Sequence, residues 1–379
     1  MALRTFRYRL YPTKAQERLF EQALDACRWV YNKTLEVRKA AWEERQESLN
    51  LYATNRLLTQ WKKERPSLKV AYSQALQDAQ ERVDLGFKAF FRRVKAGETP
   101  GYPRFRGRDR YDSWTYPQFG FSLDADKRRV NLSKIGAIKI VLHRPIEGQI
   151  KTLTIRRTAT GDWYACFSCE IELASQPYAG QAVGVDMGLH SFATLSNGQK
   201  VANPQFFRTD EKALARAQRR LAKAEKGTPL RAKRRHVVAQ VHERIANCRR
   251  DFAHKVGRQL ADNYGLIVFE DLNTTGMLAN HCLAKSIADA AWSQLIQYTT
   301  YKAEWAGRRV ILVNPRNTSQ MCSGCGTLVA KDLSVRVHVC PECGLILDRD
   351  ENAAVNILRL GLQAVGIQSL EAQPIQGWE

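Results

Sequence analysis

The sequence predicts a multidomain protein that joins an α+β part to an α/β part. Three observations carry this. Residues 120–175 alternate apolar and polar side chains, the mark of antiparallel strands with one buried face. "AVGVDMG" (182–188) and "GLIVFEDL" (265–272) are short continuous apolar runs, as in strands covered on both faces. Between and around these blocks lie long stretches of helical periodicity, and two Cys-x-x-Cys-Gly pairs interrupt the last third.

Residues 3–10 alternate and read as a strand, ended by Pro12. Thr13-x-x-Gln16 is the spacing of a helix capping box. Leu19, Phe20, Ala23, Leu24, Cys27, Val30 and Tyr31 then recur at helical spacing, and helical patterns continue to about Val94. Leu76, Val83, Phe87, Phe90, Phe91 and Val94 mark one helix stripe. In "GETPGYPRFRGRDRYDSWTYP" (97–117), Gly and Pro punctuate a run in which Arg alternates with aromatics. Arg pairs with phosphate through two nitrogens, and aromatic faces stack on unpaired bases, so Tyr102, Arg104, Arg106 and Arg108 are candidate nucleic-acid contacts.

In the β-rich stretch, Val130/Leu132, Ile138/Ile140/Leu142 and Leu153/Ile155 alternate, and "TATGDW" supplies a hairpin turn. A small barrel or sandwich that takes back the N-terminal strand fits best. From Val183 the pattern is α/β, with two helices expected between the buried strands, joined at "KGTP" (226–229). Val238, Val241, Ile245, Cys248, Phe252 and Val256 mark the inner stripe of the second helix. "RRVILVNP" (308–315) reads as another buried strand. Beyond Gly361 no basic residue occurs, Pro374 interrupts, and a loosely ordered tail is expected.

The chain has 379 residues, 59 Lys and Arg against 38 Asp and Glu, and a net charge of +21. That excess repels itself in a compact fold and points to a polyanionic partner, nucleic acid before ribosome or membrane surface. Between Lys212 and Arg258, fifteen basic residues face three acidic ones, which is +12 of the +21. The predicted helical hairpin is thus a phosphate track, with Arg219, Arg220, Arg234 and Arg235 as candidate contacts. Nine cysteines, several isolated, argue against a disulfide framework and for a reducing cytoplasm. No run of eighteen apolar residues predicts a membrane span. The opening "MALRTFRYRLYP" lacks the continuous apolar core of a signal peptide.

Cys322-x2-Cys325 and Cys340-x2-Cys343 have two-knuckle zinc spacing, each followed by a glycine, Gly326 and Gly344. Four thiolates make a closed, structural Zn²⁺ site. A third pair, Cys166 and Cys169, lies in a predicted strand, where an offset of three puts the side chains on opposite faces, so it reads as structural. Asp186 is the first charge after "AVGV", Glu270 the first after "LIVF", and Asp350 opens a helix beyond the cysteines. Together they are candidate ligands for Mg²⁺ or Mn²⁺ in phosphodiester cleavage. Singly, each reads as well as a turn or cap residue. Asp348-x-x-Glu351 has capping-box spacing, which assigns Asp348 to the N-cap and leaves Asp350 facing the sheet.

"RYRLYPT" (7–13), "GYPRFRGR" (101–108), "GVDMGL" (184–189), "FEDLN" (269–273), "NPRNTSQMCSGCG" (314–326) and "CPECGLILDRDENAAVNIL" (340–358) together resemble the TnpB proteins of bacterial transposons. These are relatives of the miniature type V CRISPR effectors. The resemblance covers roughly residues 3–361, with the motifs in the family's order. It implies a RuvC-like nuclease domain of RNase H-like fold (181–317 and 347–361) with an inserted zinc ribbon (318–346). It implies a β-barrel wedge domain (1–11 and 112–180) carrying an inserted helical recognition lobe (12–111), and leaves 362–379 as tail. It further implies a transposon-encoded endonuclease guided by an RNA from the transposon end, which cuts double-stranded DNA beside a short flanking motif. One chain per guide RNA, and a place in the bacterial or archaeal cytoplasm with the nucleoid, are expected. The family's nuclease acids fall on Asp186, Glu270 and Asp350. The alternatives are a non-cleaving RNA-guided regulator and an RNA-independent resolvase or transposase.

Overall fold

The protein is described by a computed structural model over residues 2–172, 181–332 and 334–366. The chain forms two compact units, residues 1–172 and 173–379. Among the described residues no helix is long and apolar enough to cross a membrane.

Unit 1 runs β1 (Ala2–Tyr11), α1 (Lys14–Arg45), α2 (Leu51–Glu64) and α3 (Ser73–Lys95). It continues with β2 (Ser113–Tyr116), β3 (Phe121–Asp124), β4 (Arg129–Leu132), β5 (Gly136–Val141), β6 (Gln149–Arg157) and β7 (Trp163–Ile171). The seven strands make one antiparallel sheet in the order β2-β6-β7-β1-β5-β4-β3. β1 is therefore an inner strand, as its alternation predicts. Phe6 pairs with Phe167 on one side and Leu10 with Ile140 on the other. Phe6, Tyr8 and Leu10 point into the core and meet Trp163, Ala165, Phe167 and Cys169 from β7. Cys166 sits on the opposite face from buried Cys169, as its offset predicts. Among the described residues β2 and β3 share no ladder, so the expected barrel is open at that seam.

The helices intervene in sequence between β1 and β2. α1 starts on the Thr13–Gln16 capping box, with both reciprocal bonds made. Its Phe20 meets Trp114 and Trp163 edge-on, with ring centroids 5.3 and 4.8 Å away, and so seats the helix on the sheet. The six apolar residues from Leu76 to Val94 all fall on α3, as expected. On α3, Leu76, Val83 and Phe87 are core, but Phe91 and Val94 are exposed. Near the end of α3, Tyr102 of the arginine-rich loop packs edge-on against Phe87 and Phe90.

Unit 2 begins with β8 (Gln181–Asp186), β9 (Ser191–Leu195), β10 (Lys200–Ala202), α4 (Phe206–Ala222), α5 (Pro229–Asn263) and β11 (Tyr264–Glu270). It continues with α6 (Thr274–Met277), α7 (Ala284–Ala290), α8 (Trp292–Trp305), β12 (Arg309–Val313), β13 (Val337–Val339), β14 (Ile346–Asp348) and α9 (Arg349–Ala364). Its main sheet is mixed, in the order β10-β9-β8-β11-β12, with β8, β11 and β12 parallel. Both helices of the basic hairpin are present, with Ile245 and Val256 buried on the predicted stripe.

Here too the structure departs from expectation. A strand pair, β9 and β10, precedes the two helices and was not foreseen. β12 is an edge strand with a single neighbour, and only Val313 of it is buried. α9 runs to Ala364 with Leu362 in a core cluster, so the tail starts later than residue 362. The expected loose tail otherwise falls on residues 367–379, outside those described.

Candidate active site and metal centre

The four cysteines converge. Cys322 Sγ lies 3.6 Å from Cys343 Sγ, and Cys325 Sγ lies 3.5 Å from Cys340 Sγ. All four sulfurs fall within 4.8 Å of one another. Thiolates at about 2.3 Å from a tetrahedral zinc stand about 3.8 Å apart, so the set fits Zn²⁺ as it stands. The two knuckles repeat one local design. Gly326 N–H donates to the Cys322 carbonyl at 2.9 Å, and Gly344 N–H to the Cys340 carbonyl at 3.0 Å. Both glycines have φ in the left-handed region, +82° and +71°, with open space around them. The requirement is thus backbone conformation and not room. The Thr327 hydroxyl and amide pull the Cys325 thiol down to about 6.

Asp186 ends β8 and Glu270 ends β11. These strands are parallel neighbours in register, with Val185 opposite Phe269, so the two carboxylates leave the same sheet end side by side. Asp348 closes the small β13–β14 hairpin of the ribbon and is at once the N-cap of α9. Its Oδ1 accepts from the amides of Asp350 and Glu351 at 2.9 and 3.2 Å. Ribbon and helix therefore join without a loop. Glu351, expected to complete a capping box, sets its carboxylate against Gly198. Asp350 falls in the first turn, on the face of Ala354 and Ile357, both buried, and α9 packs on β8.

The electrostatics tie the three acids together. Burial, then the charges of Glu270 and Asp350, push Asp186 well above the usual carboxylate range, with Arg349 in partial opposition. Burial also raises Glu270, against the Thr318 hydroxyl that donates to its Oε1 at 2.5 Å. Arg349 and Arg336 lean on Asp350, at 3.1 and 3.5 Å. Among the described residues only the cysteines are drawn into a tight ligand cluster. The acids stand within electrostatic reach of one another. Asp186 and Glu270, both raised and set at neighbouring strand ends, have the chemistry that suits a divalent cation.

Three family descriptions match the chain: "Cas12f1-like, TNB domain" over residues 292–357, "Probable transposase" over 166–281, and "Helix-turn-helix domain" over 1–47. A Streptomyces pristinaespiralis protein named "Putative RNA-guided DNA endonuclease" is 37% identical over 95% of this chain and 90% of its own length. The chain belongs to the TnpB family. A second member of like length, "Putative RNA-guided DNA endonuclease InsQ" of Escherichia coli (strain K12), is 32% identical over 95% of this chain and 92% of its own. The "CRISPR-associated endodeoxyribonuclease Cas12f1" of Sulfoacidibacillus thermotolerans is 26% identical over 65% of this chain and 62% of its own. In this TnpB-family chain the segment described as helix-turn-helix folds as strand β1 and one long helix, α1.

The candidate nucleic-acid contacts of the chain divide. Asn32 on α1 pins the loop by bonding the amide and carbonyl of Arg106 at 2.8 and 2.9 Å, which leaves the side chains of Arg104, Arg106 and Arg108 exposed. Tyr102 is spent partly on the α3 aromatics. Arg219, Arg220 and Arg235 are exposed, Arg219 with its Nε on the Ala215 carbonyl at 3.3 Å, and Arg234 gives one arm to the Arg220 carbonyl at 2.6 Å, at the end of α4. Buried Asp289 accepts from the Phe207 amide and from Arg249, and so braces the base of the basic hairpin. Sequence reasoning passed over Thr318, Asn352 and Asn356. The available signal was two asparagines, four apart, on an otherwise apolar helix face.

Proposed function

We propose that this chain is a transposon-encoded, RNA-guided, divalent-metal-dependent DNA endonuclease that cuts double-stranded DNA beside a short flanking motif. The observation that carries it is the convergence of Asp186 and Glu270 at the ends of adjacent parallel strands, with Asp350 on the helix packed against them. In this reading the mixed sheet of unit 2 is a RuvC-like nuclease domain of RNase H-like fold (181–317 and 347–361), and residues 318–346 are its zinc ribbon. The seven-stranded sheet is the wedge (1–11 and 112–180), and the helices (12–111) are the recognition lobe.

Asp186, Glu270 and Asp350 would hold Mg²⁺ or Mn²⁺, which when bound activates water and offsets charge on the leaving oxygen. The protein's own part is to hold those acids. Strand register fixes Asp186 beside Glu270, Thr318 orients Glu270, and the Asp348 cap sets the first turn that carries Asp350. Guide RNA from the transposon end and target DNA are the proposed partners of the basic hairpin and the arginine-rich loop. The deciding experiment purifies the protein, sequences the RNA it carries and offers DNA matching that RNA with Mg²⁺. Cutting of the matched DNA, abolished by Asp186→Ala, is expected. Cutting by an RNA-free preparation would refute guidance, and faithful binding without cutting would make the protein a regulator.

A further inference from the structure

The first zinc knuckle is fastened to helix α9 by the two peptide groups that flank Cys322. The Met321 carbonyl accepts from Asn352 Nδ2 at 2.8 Å and from Asn356 Nδ2 at 2.6 Å. The Ser323 amide donates to Asn352 Oδ1 at 2.9 Å, and Arg359 grips the Ser323 carbonyl. Asn356 turns its second amide hydrogen to the Thr318 carbonyl at 2.9 Å. Thr318 in turn donates its hydroxyl to Glu270. An unbroken run of contacts thus leads from a thiolate ligand through one helix face to a carboxylate, and Asp350 stands on the same helix.

The chemistry of these residues does not suit a purely stabilising role. Asn352, Asn356 and Thr318 are all buried, on or against an apolar face. Asn356 Oδ1 is buried without a hydrogen-bond partner, a cost that leucine at the same place would avoid. What leucine lacks is the pair of amide hydrogens that hold Thr318 and Met321 at once.

We propose that Asn356, with Asn352, is a positioning residue that makes the thiolate site and the carboxylate site one mechanical unit. Zinc in the knuckles narrows the placement of residues 318–323, and that narrows the orientation of Glu270. The coupling runs both ways, as linkage demands. It rests on reading Asp186, Glu270 and Asp350 as a divalent-cation site.

The test uses the full chain, with Mn²⁺ as probe followed by electron paramagnetic resonance, and zinc release to a chromogenic chelator. The Mn²⁺ binding that Asp186→Ala removes defines the carboxylate site. Thr318→Val should keep its zinc content and release rate and yet lose about 10-fold or more in Mn²⁺ affinity, the usual effect of removing a partner of a metal ligand. Asn356→Leu should release zinc faster and bind Mn²⁺ more weakly. Prior zinc removal should weaken Mn²⁺ binding in the parent but hardly further in Asn356→Leu. Unchanged Mn²⁺ affinity in both variants would overturn the coupling while leaving the carboxylate site in place. Mn²⁺ binding indifferent to Asp186→Ala would overturn the carboxylate reading itself. Should Asn356→Leu fail to fold, prior zinc removal decides: it should weaken Mn²⁺ binding in the parent but hardly further in Thr318→Val, and no effect in the parent would overturn the coupling.

Discussion

Gly184 on β8 lies directly under Ala354 on α9: a methyl group on the glycine would stand 2.1 Å from the Ala354 carbonyl oxygen. The contact is repeated in reverse along the same helix, where Gly361 of α9 rests on Val268 of β11 and a methyl would stand 2.3 Å from its side chain. Strand and helix approach through glycine at both places, and Asp350 comes within reach of Asp186 because they do. Gly184→Ala should force α9 outward, destabilise the protein by at least about 1–3 kcal/mol and abolish cleavage. Gly326→Ala, in open space, should cost only the strained backbone, about 1–2 kcal/mol. Denaturant midpoints of the two variants check the difference.

Asp348 and Asp350 sit two residues apart with different work. Asp348→Ala removes a cap, worth about 1 kcal/mol. It also removes a half-exposed pair with Lys200 at 2.7 Å, worth little more in solvent. This variant should keep part of its activity. Asp350→Ala should fold and be inactive. Cleavage rates at saturating Mg²⁺ that rank the two in the opposite order would show the assignment to be inverted.

Elemental analysis should find about one zinc per chain, since the four sulfurs already stand at tetrahedral spacing. Cys340→Ser, which removes a buried ligand, should lose the metal and lower the melting temperature. Full zinc retention in that variant would remove Cys340 from the site.

Asp84 in unit 1 is buried between Arg38 and Lys88, each 3.0 Å away. Burial works against its charge, but the two cations prevail and hold its carboxyl below the usual range. A carboxyl lowered by folding stabilises the fold above the unfolded value, about 3.9, and loses that contribution as pH falls through the folded one. Asp84→Asn should therefore be less stable than the parent at pH 7, by about 1–3 kcal/mol. The two stability curves should converge only as pH falls below the unfolded value and through the lower folded one. Parallel curves across that range would show that the pair is not the source.

The thiolate site was legible because all four ligands and both turn glycines fall within a single short segment, where spacing alone carries the geometry. Asp186 and Glu270 were legible as the first charges after buried strands. The β9–β10 hairpin was not, since Ser191–Leu195 is buried at all five positions and shows no alternation to betray a strand. Its one signal was the Asn197-Gly198 turn. The apolar run of β12 likewise says nothing of how many neighbours a strand has. Asn352 and Asn356 escaped because their partners lie 29 to 38 residues away, beyond any local pattern.

The place of β1 inside its sheet bears on how the chain is made. Ala2 pairs with Ile171, and the other flank of β1 is β5. A ribosome adds about 5–20 residues each second, so the first strand leaves the exit tunnel about 10–30 s before its last partner exists. Through that interval its alternating apolar side has no sheet to enter. The helices that follow are synthesised next, and their capping box and apolar stripes are local enough to form at once. Emergence of β7, and not of the first segment, should therefore time the closure of the N-terminal half. Truncated chains held on stalled ribosomes should stay protease-sensitive at β1 until residue 171 has cleared the tunnel.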